Sequence, residues 1–184
     1  MFAKISNSFI NTSLLNQELR GDVAVSKFFS EKRNGGSAFF MLKNYSKVKE
    51  ILLENIFTLP TPPSIFYAEF TGSGLVTPHI DAYNWTVALN CYINTSVDAT
   101  IFYKKKHENV EPFKGTLGYN INDLIETSRF YSSPHDVYLM DISKIHGIEK
   151  TTNDTRSMIT FRWSGYSFEE VYNSLNVEKS KWIS

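Results

Sequence analysis

The chain has a single cysteine, Cys91, among its 184 residues. That excludes an internal disulfide framework and any thiolate-rich zinc cluster, and it suits a reducing compartment. Cys91 lies inside the apolar run TVALNCYIN, the setting of a small core residue rather than a nucleophile. Long apolar runs are missing too. No stretch approaches the roughly 18 residues of a membrane-spanning helix, and the opening MFAKISNSFINTSLL lacks the unbroken apolar core of a signal peptide. A cytoplasmic protein with no membrane partner is expected. Nor is there an excess of charge. Nineteen Lys and Arg balance nineteen Asp and Glu, whereas a nucleic-acid binder shows a basic surplus or stripe. The one dense basic run, KKK at 104–106, reads as a solvated strand edge.

Aromatic residues are abundant: 14 Phe, 10 Tyr and 3 Trp in a chain that is 42% hydrophobic. Such side chains favour pleated, half-buried surfaces, and the length suits one domain with a real core. A helix is expected over SKVKEILLENIF, 46–57, ending before the prolines of PTPP. Beyond it the apolar period becomes two. GSAFFMLKNY, SIFYAEF, NWTVALNCYI, TIFYKK, DVYLMDI and RSMITFRW read as strands, with a hairpin turn at Asn94 to Asp98. A short helix is expected in NINDLIETSRFY and another in SFEEVYNSL, capped by Ser167. The fold class is mainly β with flanking helices, a sandwich or jelly roll.

Only four histidines occur, and one begins HID. In a strand, His79 and Asp81 leave the same face and can share a metal ion. DVYLMDISKIHGIEK places His146 in a loop just past a strand, followed by Gly147, which permits close backbone approach. Two histidines and one carboxylate leave three coordination positions open, which suits non-haem Fe(II) that must take a cosubstrate and dioxygen. Arg156 follows His146 by ten residues and opens RSMITFRW. Its planar fork suits the far carboxylate of a 2-oxo acid chelated at the metal. Arg162 is an even six residues further on, on the same strand face. His107 follows the lysine run and is expected in solvent. His135 is the competing distal ligand but lacks an arginine at this distance.

His79-x-Asp81, His146-Gly147 and Arg156 together resemble the Fe(II)/2-oxoglutarate-dependent oxygenases, with the small prolyl-hydroxylase-like phage and bacterial members nearest in layout. The resemblance covers about residues 64–165. It implies a double-stranded β-helix core there, a support region over 1–63 and a C-terminal helix within 166–184. It implies that His79, Asp81 and His146 bind iron and that Arg156 binds the distal carboxylate of 2-oxoglutarate. Arg162 would approach the metal end of the cosubstrate or line the substrate pocket, and Tyr67 would contact the cosubstrate, with Phe70 as the other choice. Tyr83 and Trp85 would line a substrate pocket, while the parity of Asn90 and Tyr92 is open. The implied activity is hydroxylation of a small molecule or a protein side chain with dioxygen, giving succinate and CO2. Asp81 stands where halogenating members have a small residue. Prolyl hydroxylases often have lysine where this chain has Arg156. The Arg-x5-Arg strand also resembles the AlkB-type nucleic-acid demethylases, which is the first alternative. A cupin-like metal-binding module without redox chemistry is the second. The irregular segment 104–136 would form a lid.

Overall fold

A computed structural model describes residues 1–5, 25–29, 37–42, 59–72, 74–81, 84–95 and 98–175. The expected helix over 46–57 lies outside them, as does Tyr83. Eleven strands and one α-helix are described. The strands are β1 (Phe2–Ile5), β2 (Val25–Phe29), β3 (Ser37–Leu42), β4 (Ser64–Phe70), β5 (Gly74–His79), β6 (Trp85–Asn94), β7 (Ala99–Lys105), β8 (Leu124–Tyr131), β9 (Val137–Asp141), β10 (His146–Lys150) and β11 (Arg156–Ser164). The helix, α1, is Phe168–Ser174, and Ser167 and Glu170 close a reciprocal capping box at its start.

The strands form two antiparallel sheets. The larger runs β1-β9-β6-β11-β4-β3-β2 and the smaller runs β5-β10-β7-β8. Two such sheets face to face make the double-stranded β-helix, or jelly roll. The core is layered accordingly. Ala68, Phe70, Ala88, Tyr92 and Met158 of the larger sheet meet Phe102, Phe130 and Ile148 of the smaller one. On the other side of the larger sheet, Ile65, Leu89, Cys91, Ile159 and Phe161 pack with Phe168 and Val171 of α1. Burial pushes the Cys91 thiol up, which keeps it protonated and inert.

Two expectations fail, each for a physical reason. β6 and β7 are not a hairpin: β6 pairs with β9 and β11, whereas β7 pairs with β10 and β8. The turn after Asn94 carries the chain from one sheet to the other. The helix expected in NINDLIETSRFY shrinks to a single 3-10 turn, Ile121–Asp123, capped by the Asn120 side chain, and then becomes β8. In β8, Leu124 and Phe130 are buried while Ile125 and Tyr131 are exposed, the pattern of an edge strand with one face on the core.

Candidate active site

His79 ends β5, and Asp81 follows in the loop, where its N–H donates to the Ile142 carbonyl at 3.4 Å. His146 is not in a loop. It is the first residue of β10, directly opposite His79 in the ladder. Gly147 lets those strands close up: a Cβ there would sit 2.9 Å from the Val76 carbonyl oxygen. On its other side β5 bridges to Gly118, and the Ile80 N–H donates to the Leu117 carbonyl at 3.1 Å. The segment after β7 is thereby tied to the backbone that carries His79.

One donor atom from each of His79, Asp81 and His146 lies within 4.8 Å of the others. Asp81 Oδ1 is 3.3 Å from His79 Nε2 and 3.8 Å from His146 Nε2. A metal about 2.1 Å from three donors at right angles holds them about 3 Å apart, so small side-chain shifts close the set. The ring orientations fit as well. His79 Nδ1 lies 2.8 Å from the Thr77 carbonyl and His146 Nδ1 2.9 Å from the Lys144 carbonyl. Each carbonyl accepts from Nδ1–H, which leaves Nε2 as the free lone pair facing the centre. Burial pushes the His146 imidazole down to about 4, so it is neutral near pH 7. Burial alone would raise the Asp81 carboxyl. The charge of Arg162 and the His79 hydrogen bond outweigh it and hold the group well below the usual carboxylate range. Two imidazoles and one carboxylate are a donor set suited to Fe(II), Mn(II) or Ni(II).

Register fixes what else faces this centre. Along β11, Arg156, Met158, Thr160 and Arg162 oppose Phe70, Ala68, Phe66 and Ser64 of β4, so all share one face. That face is the interior between the sheets. Tyr67 opposes Ile159 and packs with the outer core, its hydroxyl donating to Glu69 Oε1 at 2.6 Å. The expected contact of Tyr67 with the cosubstrate is therefore corrected: strand parity turns it away. Tyr92 on β6 faces the interior instead. A register shift in β6 places both Trp85 and the even residues Asn90 and Tyr92 on the interior side.

Arg156 is 1% exposed. Its Nη2 donates to the Tyr92 hydroxyl at 2.8 Å and to Thr100 Oγ1 at 2.7 Å, and its guanidinium carbon lies 4.8 Å from the Tyr92 ring centre. Among the described residues, its Nε and Nη1 have no hydrogen-bond partner. Thr160 Oγ1 and Asn90 Oδ1, on neighbouring strands, are buried without one as well. A buried cation holding unused donors is a waiting anion site. Arg162 sits at the other end of the same face, where Nη1 donates to Asp81 Oδ2 at 2.5 Å. Its guanidinium lies 5.0 Å from the Trp85 ring centre and 6.0 Å from that of Phe66.

Two of the solved structures that share this fold illustrate the likeness. The epimerase SnoN of nogalamycin biosynthesis, described as non-haem and α-ketoglutarate dependent, superposes with a TM-score of 0.56 at 11% identity, over 88% of this chain and 77% of its own. HygX from Streptomyces hygroscopicus, solved with nickel and 2-oxoglutarate, superposes with a TM-score of 0.52 at 12% identity, over 90% and 83%. No protein-family model and no curated sequence matches the chain.

His79, Asp81 and His146 are thus brought together, with Arg162 and Trp85 beside them and Arg156 further along the interior. His107 and His135 are both exposed and stand apart from the cluster. Thr100 and Thr160 were not singled out from sequence. Their only signal is parity within TIFYKK and RSMITFRW, which is silent until the sheet pairing is known.

Proposed function

We propose that the protein is an Fe(II)- and 2-oxoglutarate-dependent oxygenase that hydroxylates a small molecule. One observation carries the reading: Arg156, a fully buried guanidinium with three N–H groups unpartnered among the described residues, faces the same interior as the His-Asp-His cluster. A metal-binding module without redox chemistry has no use for such a cation. Iron and 2-oxoglutarate, when bound, supply the oxidising power: one atom of dioxygen enters succinate, the other enters the substrate C–H bond, and CO2 leaves.

The chain's own residues divide the rest. His79, Asp81 and His146 hold the metal. Arg156, with the Tyr92 and Thr100 hydroxyls, holds the far carboxylate of the cosubstrate and fixes its length against the metal end. Thr160 and Asn90 supply polar atoms along the path between. Trp85 and Phe66 form an aromatic wall beside the metal end and keep water from it. Support for a small-molecule substrate comes from HygX, solved with hygromycin B, and from SnoN, solved with nogalamycin RO. SnoN is an epimerase, so hydroxylation here is the finer part of the proposal. The zero net charge gives no support to nucleic-acid demethylation.

Anaerobic addition of Fe(II) and 2-oxoglutarate to the purified protein tests the reading. A weak visible charge-transfer band that needs both additions is the expected result. Folded, iron-loaded protein that shows no band on adding 2-oxoglutarate would leave only a metal-binding barrel.

A further inference from the structure

The Asp81 carboxylate is divided between two tasks. Oδ1 faces both histidine Nε2 atoms, at 3.3 and 3.8 Å. Oδ2 is turned to Arg162 Nη1, and both side chains are about nine-tenths buried. The guanidinium is itself held, with Trp85 at 5.0 Å and Phe66 at 6.0 Å. We infer that Arg162 is a positioning residue that keeps Asp81 a one-oxygen ligand. The inference rests on the metal reading above and deepens it.

The geometry matters because of what an octahedral ion can accept. Three single-atom ligands leave about three positions: two for a chelating 2-oxo acid and one for dioxygen. A carboxylate that closes on the metal with both oxygens takes one of these. An aspartate in a buried site, with its second oxygen unpaired, gains by doing so, since nothing else there neutralises that oxygen. The Arg162 ion pair removes the incentive. Its side chain is the length the task needs: a glutamine at the same position is two bonds short of Oδ2, and an apolar residue offers no donor. The aromatic faces favour a planar guanidinium over a lysine ammonium.

The test uses Mn(II) as the probe on full-length protein, without 2-oxoglutarate and then with it. Water-proton relaxation by bound Mn(II) counts the exchangeable inner-sphere waters. Wild type is expected to show about three, and Arg162→Met about two. The 2-oxoglutarate affinity of the Mn(II)-loaded variant is expected to fall at least about tenfold, while Mn(II) affinity itself holds or rises. Arg162→Gln provides the same comparison in a polar side chain should Arg162→Met fail to fold. A folded, Mn(II)-loaded variant with the wild-type water count and wild-type 2-oxoglutarate affinity overturns the role of Arg162 alone. A wild type that binds no Mn(II) overturns the metal reading, and this inference with it.

Discussion

Replacing Arg156 by methionine should separate folding from function. Arg156 is almost wholly buried and no carboxylate pairs with it among the described residues. Its three N–H groups without a partner among the described residues each cost roughly 1–3 kcal/mol in the ligand-free protein. Methionine removes that cost. It also strands the Tyr92 and Thr100 hydroxyls, at a comparable cost each, and forfeits about 1–2 kcal/mol of attraction to the Tyr92 ring. These terms nearly cancel. What remains is the burial of a net charge, and swapping buried ionic groups for apolar ones of similar volume runs from neutral to about 4 kcal/mol stabilising. For a chain of this size 1 kcal/mol moves Tm by about 2–4 °C. The variant should therefore melt between about 3 °C below wild type and several degrees above it. Cosubstrate should act the other way. With Mn(II) present, 2-oxoglutarate at about 100 times its Kd adds roughly 2.7 kcal/mol to wild type, a rise of about 5–10 °C, and adds nothing to the variant. Thermal melts with and without 2-oxoglutarate read both effects. If Arg156→Met loses 3 kcal/mol or more, the arginine is a structural strut. If the variant keeps the ligand-induced rise, the carboxylate binds elsewhere.

Gly147→Ala drives a Cβ to 2.9 Å from the Val76 carbonyl oxygen, with backbone atoms of Pro78 at 3.5 and 3.6 Å. We expect a stability loss of about 1–3 kcal/mol and at least about tenfold weaker Mn(II) binding, because the strand pushed away carries His79; unchanged Mn(II) affinity would refute the coupling. Lys150→Met leaves Asp98 buried and unpaired, since Lys150 Nζ lies 2.7 Å from Asp98 Oδ2 with side-chain exposures of 2% and 0%. Denaturant titration should show a loss of about 3–5 kcal/mol, largely recovered in Lys150→Met/Asp98→Asn; a single variant as stable as wild type would count against the pair. For pH, burial holds the His146 pKa at about 4 in the folded state, below its ordinary value of 6.5. On acidification the unfolded chain takes up this proton first. The contribution is thus complete above pH 6.5 and is lost as pH falls toward 4, to a total of roughly 3 kcal/mol. Asp81, depressed from 3.8, adds its own loss at still lower pH. Denaturation of metal-free protein at pH 7.5 and 4.5 measures the difference, and a flat profile would contradict it.

The strands β4, β6, β7, β9 and β11 were legible because apolar period two and aromatic content speak directly for pleated structure. The spacing from HID to HG to Arg156 pointed to the cluster because each side chain has a chemistry that few roles need. What was not legible depends on pairing. Tyr67 and Tyr92 look alike in sequence, and only their opposite numbers on β11, Ile159 and Met158, decide which faces inward. The β6 register shift that admits both Trp85 and Tyr92 to one face breaks the simple alternation any sequence count relies on. LIETSRFY carries apolar residues at helix-compatible spacing, and its choice of strand is made by the exposed edge of β7 beside it.

The two sheets hold different ends of the proposed cosubstrate. His79 and His146 stand on the small sheet, while Arg156 stands on the large one. The span between metal and guanidinium is consequently a property of neither sheet. It is set by the side chains stacked between them, Phe102, Tyr92, Met158 and Ile148 among them. The barrel acts as a caliper whose jaws are spaced by its own filling. A volume change in that filling, at a residue touching neither metal nor carboxylate, would shift the preferred length of dicarboxylate toward a shorter or longer 2-oxo acid.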